Sequence, residues 1–146
     1  MRIVLDTNVV VSALLWDGAP KQLLRVTYAK RIQLYSSIPL LEELTETLSK
    51  TKLERKIAAS LLSVDQLVNS YAELVSVVRP VIVPRVAPDP DDDVVIGTAL
   101  AAGADFAVTG DRTLLAVGEY KRVRIVSVAD ALQAIAQEGS GDALTR

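Results

Sequence analysis

Arg2-Ile3-Val4-Leu5-Asp6-Thr7-Asn8 is the stretch on which the fold turns. Ile3 to Leu5 form a short unbroken apolar run that stops at Asp6. A strand covered on both faces has this pattern, and such strands belong to parallel sheets. Asp6-Thr7-Asn8 is polar punctuation before Val9 to Leu15, which are apolar apart from Ser12. The β-branched Val9-Val10-Val11 favour a strand, but an Asp-Thr-Asn start supplies helix N-caps, so a helix is expected there. Outward from this pair the alternation continues. Pro20 suits the first turn of a helix reaching Lys30, and Ile32 to Ser36 read as a strand. Pro39 to Ser49 form a helix with Leu40, Leu41, Leu44 and Leu48 on one stripe. Helical patterns cover Leu53 to Leu62 and Val64 to Val75, and Pro-broken Arg79 to Val86 reads as an extended segment or edge strand. A helix over Val94 to Ala102, strands over Phe106 to Thr109 and Arg124 to Ser127, and a helix over Ala129 to Gln137 complete the series. Strands alternating with helices predict an α/β domain of three layers, α/β/α, around a parallel sheet. The domain is expected over residues 1–138, with 139–146 a polar, Gly-containing tail that frays.

Composition narrows the chemistry. The chain has 146 residues, which one domain of ordinary size uses up. Half of the residues are apolar, so the bulk of the chain is not disordered. Sixteen basic residues against eighteen acidic ones give a net charge of -2, which predicts no bulk attraction to polyanions but leaves room for a local basic groove. Cysteine is absent, which removes disulfides, thiolate catalysis and Cys-ligated zinc. Histidine is absent as well, which removes Ser-His-Asp and Cys-His constellations, His-ligated metals and histidine bases. No apolar stretch is long enough for a transmembrane helix, and Asp6 interrupts the first apolar run too early for a signal peptide. A soluble, cytoplasmic protein without a membrane partner is the expectation.

The acids fall at the edges of apolar elements. Asp6 ends the first strand, and Asp111 follows another after Thr109-Gly110. In open parallel sheets ligands bind outside the carboxyl ends of the strands, so the two meet on one rim if their strands are neighbours. Taken singly, Asp6 also suits a helix N-cap and Asp111 a turn. Asp89-Pro90-Asp91-Asp92-Asp93 can be read as a cap at Asp89, Pro90 as first helical residue, and acids that complement the helix dipole. That reading does not need Asp92, which at 100° per residue shares a stripe with Val95, Ile96 and Ala99, flanked by Asp91 and Asp93. An inward carboxylate is costly unless it is paired or binds a cation. On the Pro39 helix, Glu42 and Glu46 lie opposite the leucine stripe and Glu43 is nearest its edge, where a solvated position also explains it. Acids gathered on one rim repel one another unless a cation neutralises them. Oxygen-only ligands select Mg²⁺ or Mn²⁺, and without histidine the natural chemistry is metal-assisted phosphodiester hydrolysis.

Together these segments resemble a PIN domain. The likeness rests on Asp6-Thr7-Asn8 after an apolar strand, an acid in Leu41-Glu42-Glu43-Leu44, Asp89 to Asp93 leading into Ala99-Leu100-Ala101-Ala102-Gly103-Ala104-Asp105, and Thr109-Gly110-Asp111 with Leu114-Leu115. Their order spans Met1 to Val128, and the nearest likeness is to the toxin components of toxin–antitoxin systems related to VapBC. The resemblance implies a metal-dependent ribonuclease on an α/β/α sandwich. It places the family's metal-binding, catalytic acids on Asp6, Glu43, Asp92 and Asp111, with Thr7, Asn8 and Thr109 in support. It also implies an RNA substrate and an antitoxin partner. One position departs: relatives often carry another acid two residues after the fourth, and here stands Thr113.

Other features bear on partners. Arg112 beside Asp111 is a candidate phosphate contact or a solvated turn residue. Lys50, Lys52, Arg55 and Lys56 form one basic cluster, and Lys121, Arg122 and Arg124 another; charge runs are usually solvated faces. With four Tyr, one Trp and one Phe, no aromatic platform for bases is evident. Trp16 and Leu15 are read as core residues, with a dimer surface as the other use, and a mean hydropathy of +0.30 suggests a homodimer. Two rivals use the same acids differently. An Mg²⁺-dependent aspartyl phosphoryl-transfer protein lacks the second acid expected two residues after Asp6, and a degenerate PIN-like binding module is allowed by Thr113.

Overall fold

The computed structural model describes the backbone of residues 1–145 and the side chains of residues 1–139. Among the described residues six strands, β1 (Arg2–Leu5), β2 (Gln33–Ser36), β3 (Ser76–Val77), β4 (Phe106–Val108), β5 (Glu119–Tyr120) and β6 (Val123–Val126), form one sheet in the order β3-β2-β1-β4-β6-β5. All pairs are parallel except β5 with β6. The helices are α1 (Thr7–Leu15), α2 (Ala19–Tyr28), α3 (Ile38–Leu48), α4 (Glu54–Ala59), α5 (Val64–Leu74), α6 (Pro90–Ala102), α7 (Arg112–Val117) and α8 (Val128–Thr145).

The period of two along each strand splits the core into two layers. Ile3 and Leu5 of β1, Phe106 and Val108 of β4 and Val126 of β6 pack with residues of α1, α2, α3, α5 and α8. Val4, Ala107, Val123 and Ile125 point the other way and pack with Val95, Ile96 and Ala99 of α6 and Leu114 of α7. The expected three-layer α/β/α sandwich around a largely parallel sheet is what forms. From β1 the order runs one way to β2 and β3 and the other way to β4, β6 and β5. The chain therefore opens a crevice beyond the carboxyl ends of β1 and β4, where such folds place their ligands.

Several elements differ from the sequence reading. One edge of the sheet is Ser76–Val77; Arg79 to Val86, read as an extended segment or edge strand, pairs with no strand among the described residues. Pro80 and Pro84 offer no N–H to a ladder, and the segment instead crosses α6, where the Val81 N–H donates to the Gly97 carbonyl at 3.0 Å. A Cβ on Gly97 would collide with the Val81 carbonyl oxygen, so glycine is what lets the two backbones touch. β5 is a two-residue antiparallel addition that no periodicity announces. Helix α8 continues to Thr145, past Gln137, and at Gly139 the space a side chain would fill is taken by the Arg31 guanidinium. Of the expected tail, the side chains of 140–145 and all of Arg146 lie outside the described residues. Trp16, read as a core residue, is 42% exposed. It is the C-cap of α1, where the backbone turns extended and the ring leaves the buried face. Among the described residues no helix is long and apolar enough to cross a membrane.

Candidate metal centre at the carboxyl edge of the sheet

Asp6 occupies the step from β1 to α1, where it ends the strand and caps the helix. Its Oδ1 accepts the Thr7 N–H at 2.8 Å, which caps α1, and its Oδ2 accepts the Thr109 hydroxyl at 2.7 Å. Thr109 directly follows β4 and is fully buried, so this bond ties the carboxyl ends of the two central strands together. The same Thr109 hydroxyl accepts the Asp111 N–H at 3.0 Å, tying the fourth acid to the first. Asp6 is only 7% exposed. Burial raises its pKa, the bonds from Thr109 and Thr7 pull it back, and the charges of Asp111 and Asp89 push it up again.

Asp111 caps α7, as its turn-forming type suggests. Its Oδ1 accepts both the N–H and the hydroxyl of Thr113, at 2.8 and 2.6 Å. Those bonds hold its carboxyl below the usual range, the Thr113 hydroxyl contributing most. Thr113 thus fixes the fourth acid in one rotamer instead of adding a fifth.

The run from Asp89 to Asp93 divides its labour. Asp89 caps α6 by accepting the Asp91 N–H at 3.0 Å, and Pro90 is the first helical residue. Asp93 Oδ1 accepts the N–H groups of Val86 and Ala87, at 3.0 and 2.9 Å, and so pins the incoming segment. Asp91 is exposed. Asp92 is the buried one, 7% exposed, and its Oδ2 has no hydrogen-bond partner. Burial, then the charges of Asp111, Asp6, Asp89 and Glu43, push its pKa up to about 6.

Helix α3 carries Glu43 half-buried, while Glu42 and Glu46 are exposed. Burial raises the Glu43 pKa, the nearby Thr7 hydroxyl lowers it, and Asp6, Asp91 and Asp89 raise it. Thr7 Oγ1 is itself buried without a hydrogen bond of good geometry. Of the two buried orphan oxygens here, Asp92 Oδ2 belongs to a carboxylate that feels the charges of Asp111, Asp6, Asp89 and Glu43, and Thr7 Oγ1 lies next to Glu43 and directly follows Asp6 in sequence. Asn8, the second residue of α1 and two residues after Asp6, and Arg112, the first of α7 and directly after Asp111, are both exposed. As the side chains stand, no three acids among the described residues are close enough to hold one ion between them.

The comparisons with known proteins agree on the architecture. The family model described as PIN domain matches residues 2–113. The crystal structure of VapBC2 from Rickettsia felis bound to a DNA fragment from their promoter contains a chain similar to this one, with a TM-score of 0.57 and 16% identity. The match covers 87% of this chain and 98% of that one. At that identity it speaks to the fold. No curated protein matches.

Proposed function

The chain belongs to the PIN domain family, and from that premise we propose that it is an endoribonuclease that works with Mg²⁺ or Mn²⁺ at Asp6, Glu43, Asp92 and Asp111. One observation carries the reading: Asp92 is buried with a free oxygen, and burial first, then the charges of acids from other parts of the chain, push its pKa up to about 6. Such a group is expensive to keep unless a cation belongs beside it. The donors are all oxygens, which suits a hard ion. Like charges gathered on the rim hold one another apart, and a cation would reverse that repulsion and draw them in.

When bound, the ion supplies a water of lowered pKa and neutralises charge on the phosphoryl group. The chain's own part is orientation. Thr7 and Thr109 hold both oxygens of Asp6, and Thr113 holds one oxygen of Asp111 and leaves the other open. Asp92 offers its unpartnered Oδ2 from the first turn of α6. Exposed Arg112 offers a guanidinium fork to a substrate phosphate next to Asp111.

The same reading makes the protein the toxin of a toxin–antitoxin pair, homodimeric in solution. Its support is the fold shared with a chain of VapBC2 and the high mean hydropathy of so small a domain. The test is cleavage of structured and single-stranded RNA by purified protein. Cleavage is expected with Mn²⁺, lost in EDTA and lost in Asp6→Asn and Asp92→Asn. Cleavage that survives EDTA, or that both variants retain, contradicts the mechanism. Growth arrest on induction of the wild type, absent with Asp6→Asn, tests the toxin role.

A further inference from the structure

Four carboxylates repel the phosphates of the RNA they would cut, so binding free energy has to come from elsewhere on the surface. The solvent side of α1 leads to such a place. Asn8 and Trp16 are exposed and Ser12 is half-buried, spaced four residues apart along one stripe. The stripe begins two residues after Asp6 and ends on the one tryptophan of the chain. Lys56 reaches over that ring, its Nζ 5.2 Å from the centroid. Lys56 belongs to α4, a helix that buries none of its residues. Exposed Lys50, Lys52 and Arg55 accompany it and outnumber the exposed Asp17 and Glu54 nearby in sequence. An exposed indole beside one lysine, with three more exposed cations within six residues of that lysine in sequence, is the composition of a single-strand platform, with a π-face for a base and cations for the backbone. Ten helical steps from Asp6 to Trp16 span about 15 Å, roughly four bases stacked at ~3.4 Å.

We propose that Trp16 and Lys56, with Lys52 and Arg55, form a substrate subsite that stacks a base of single-stranded RNA about four nucleotides from the bond that is cut. The proposal rests on the ribonuclease reading but is measured apart from it. Because the chain has a single tryptophan, its fluorescence reports on this place alone. A labelled single-stranded oligoribonucleotide long enough to span both sites is titrated into the wild type in EDTA, with anisotropy and tryptophan emission recorded together. Binding is expected to quench the emission. Trp16→Ala is expected to weaken binding roughly 10- to 30-fold, within the range for loss of an aromatic stack, and Trp16→Phe to restore most of it. Lys56→Gln is expected to flatten the log–log salt dependence by about 0.7, one single-strand phosphate contact. A dinucleotide, too short to span both places, is expected to bind more weakly than the longer strand. RNA binding with unquenched emission, or affinity unchanged in Trp16→Ala, overturns the subsite even if Mn²⁺-dependent cleavage is intact. Absence of cleavage from every RNA, with quenching present, counts against the nuclease reading and not against the platform. Quenching by an unrelated protein but not by RNA would make the patch a protein-docking surface and overturn the proposal.

Discussion

Replacing Asp92 by Asn should make the metal-free protein more stable at neutral pH. The carboxyl is 7% exposed, has an unpartnered oxygen and has its pKa pushed from 3.8 to about 6 by burial and by Asp111, Asp6, Asp89 and Glu43. Each tenfold change in proton affinity is worth ~1.4 kcal/mol, so the full rise corresponds to about 3 kcal/mol of folding free energy. Water at the rim screens part of this, and about 1–2 kcal/mol is the expected gain in Asp92→Asn. The sign follows from proton linkage. Between the unfolded value of 3.8 and about 6 the folded chain holds the proton more tightly than the unfolded chain. The wild type therefore has its full share of stability from this group below 3.8 and loses it as pH rises through about 6. Asn does not titrate, so the two proteins should converge in stability at low pH and diverge by pH 7. Urea unfolding in EDTA across that range reads the difference directly. Adding Mn²⁺ should reverse the order, stabilising the wild type more than the variant. An Asp92→Asn protein that is less stable than wild type at pH 7 in EDTA, by an amount that does not vary with pH, refutes the reasoning.

Two further substitutions probe the frame around the acids. Thr109→Val keeps the shape but removes the hydroxyl that donates to Asp6 and accepts from the Asp111 N–H, so a loss of about 2–4 kcal/mol is expected in denaturant unfolding. Gly97→Ala drives a methyl into the Val81 carbonyl; displacement of the crossing segment should cost about 1–3 kcal/mol and raise hydrogen exchange at the Val81 amide.

How much of this was legible beforehand depended on how each signal arises. The central strands were plain because a strand covered on both faces leaves an unbroken apolar run, as Ile3 to Leu5 and Phe106 to Val108 do. Asp92 was legible because a helix converts spacing into direction, which set it inward among Val95, Ile96 and Ala99. Helical spacing alone did not separate Glu43 from a solvated residue; packing half-buries it next to Thr7 while leaving Glu42 exposed. Asp93 was invisible as an anchor, since its partners Val86 and Ala87 meet it only through the path of a segment without periodicity. Ser76–Val77 merged with the end of a helical pattern, and two residues carry too little alternation to mark a strand. Trp16 was misassigned because an aromatic closing an apolar helix usually continues the core, whereas here the backbone leaves the helix at that residue. The role of Thr113 came from its reach back to Asp111 within one turn, a contact that the expectation of an acid at that position concealed.

A calorimetric titration of Mn²⁺ into the wild type and into Asp6→Asn tests the gathering of these carboxylates around a cation most directly. Saturable binding to the wild type, with little or none to Asp6→Asn at the same pH, is the expected result. No heat from the wild type, or the same isotherm from both proteins, contradicts it.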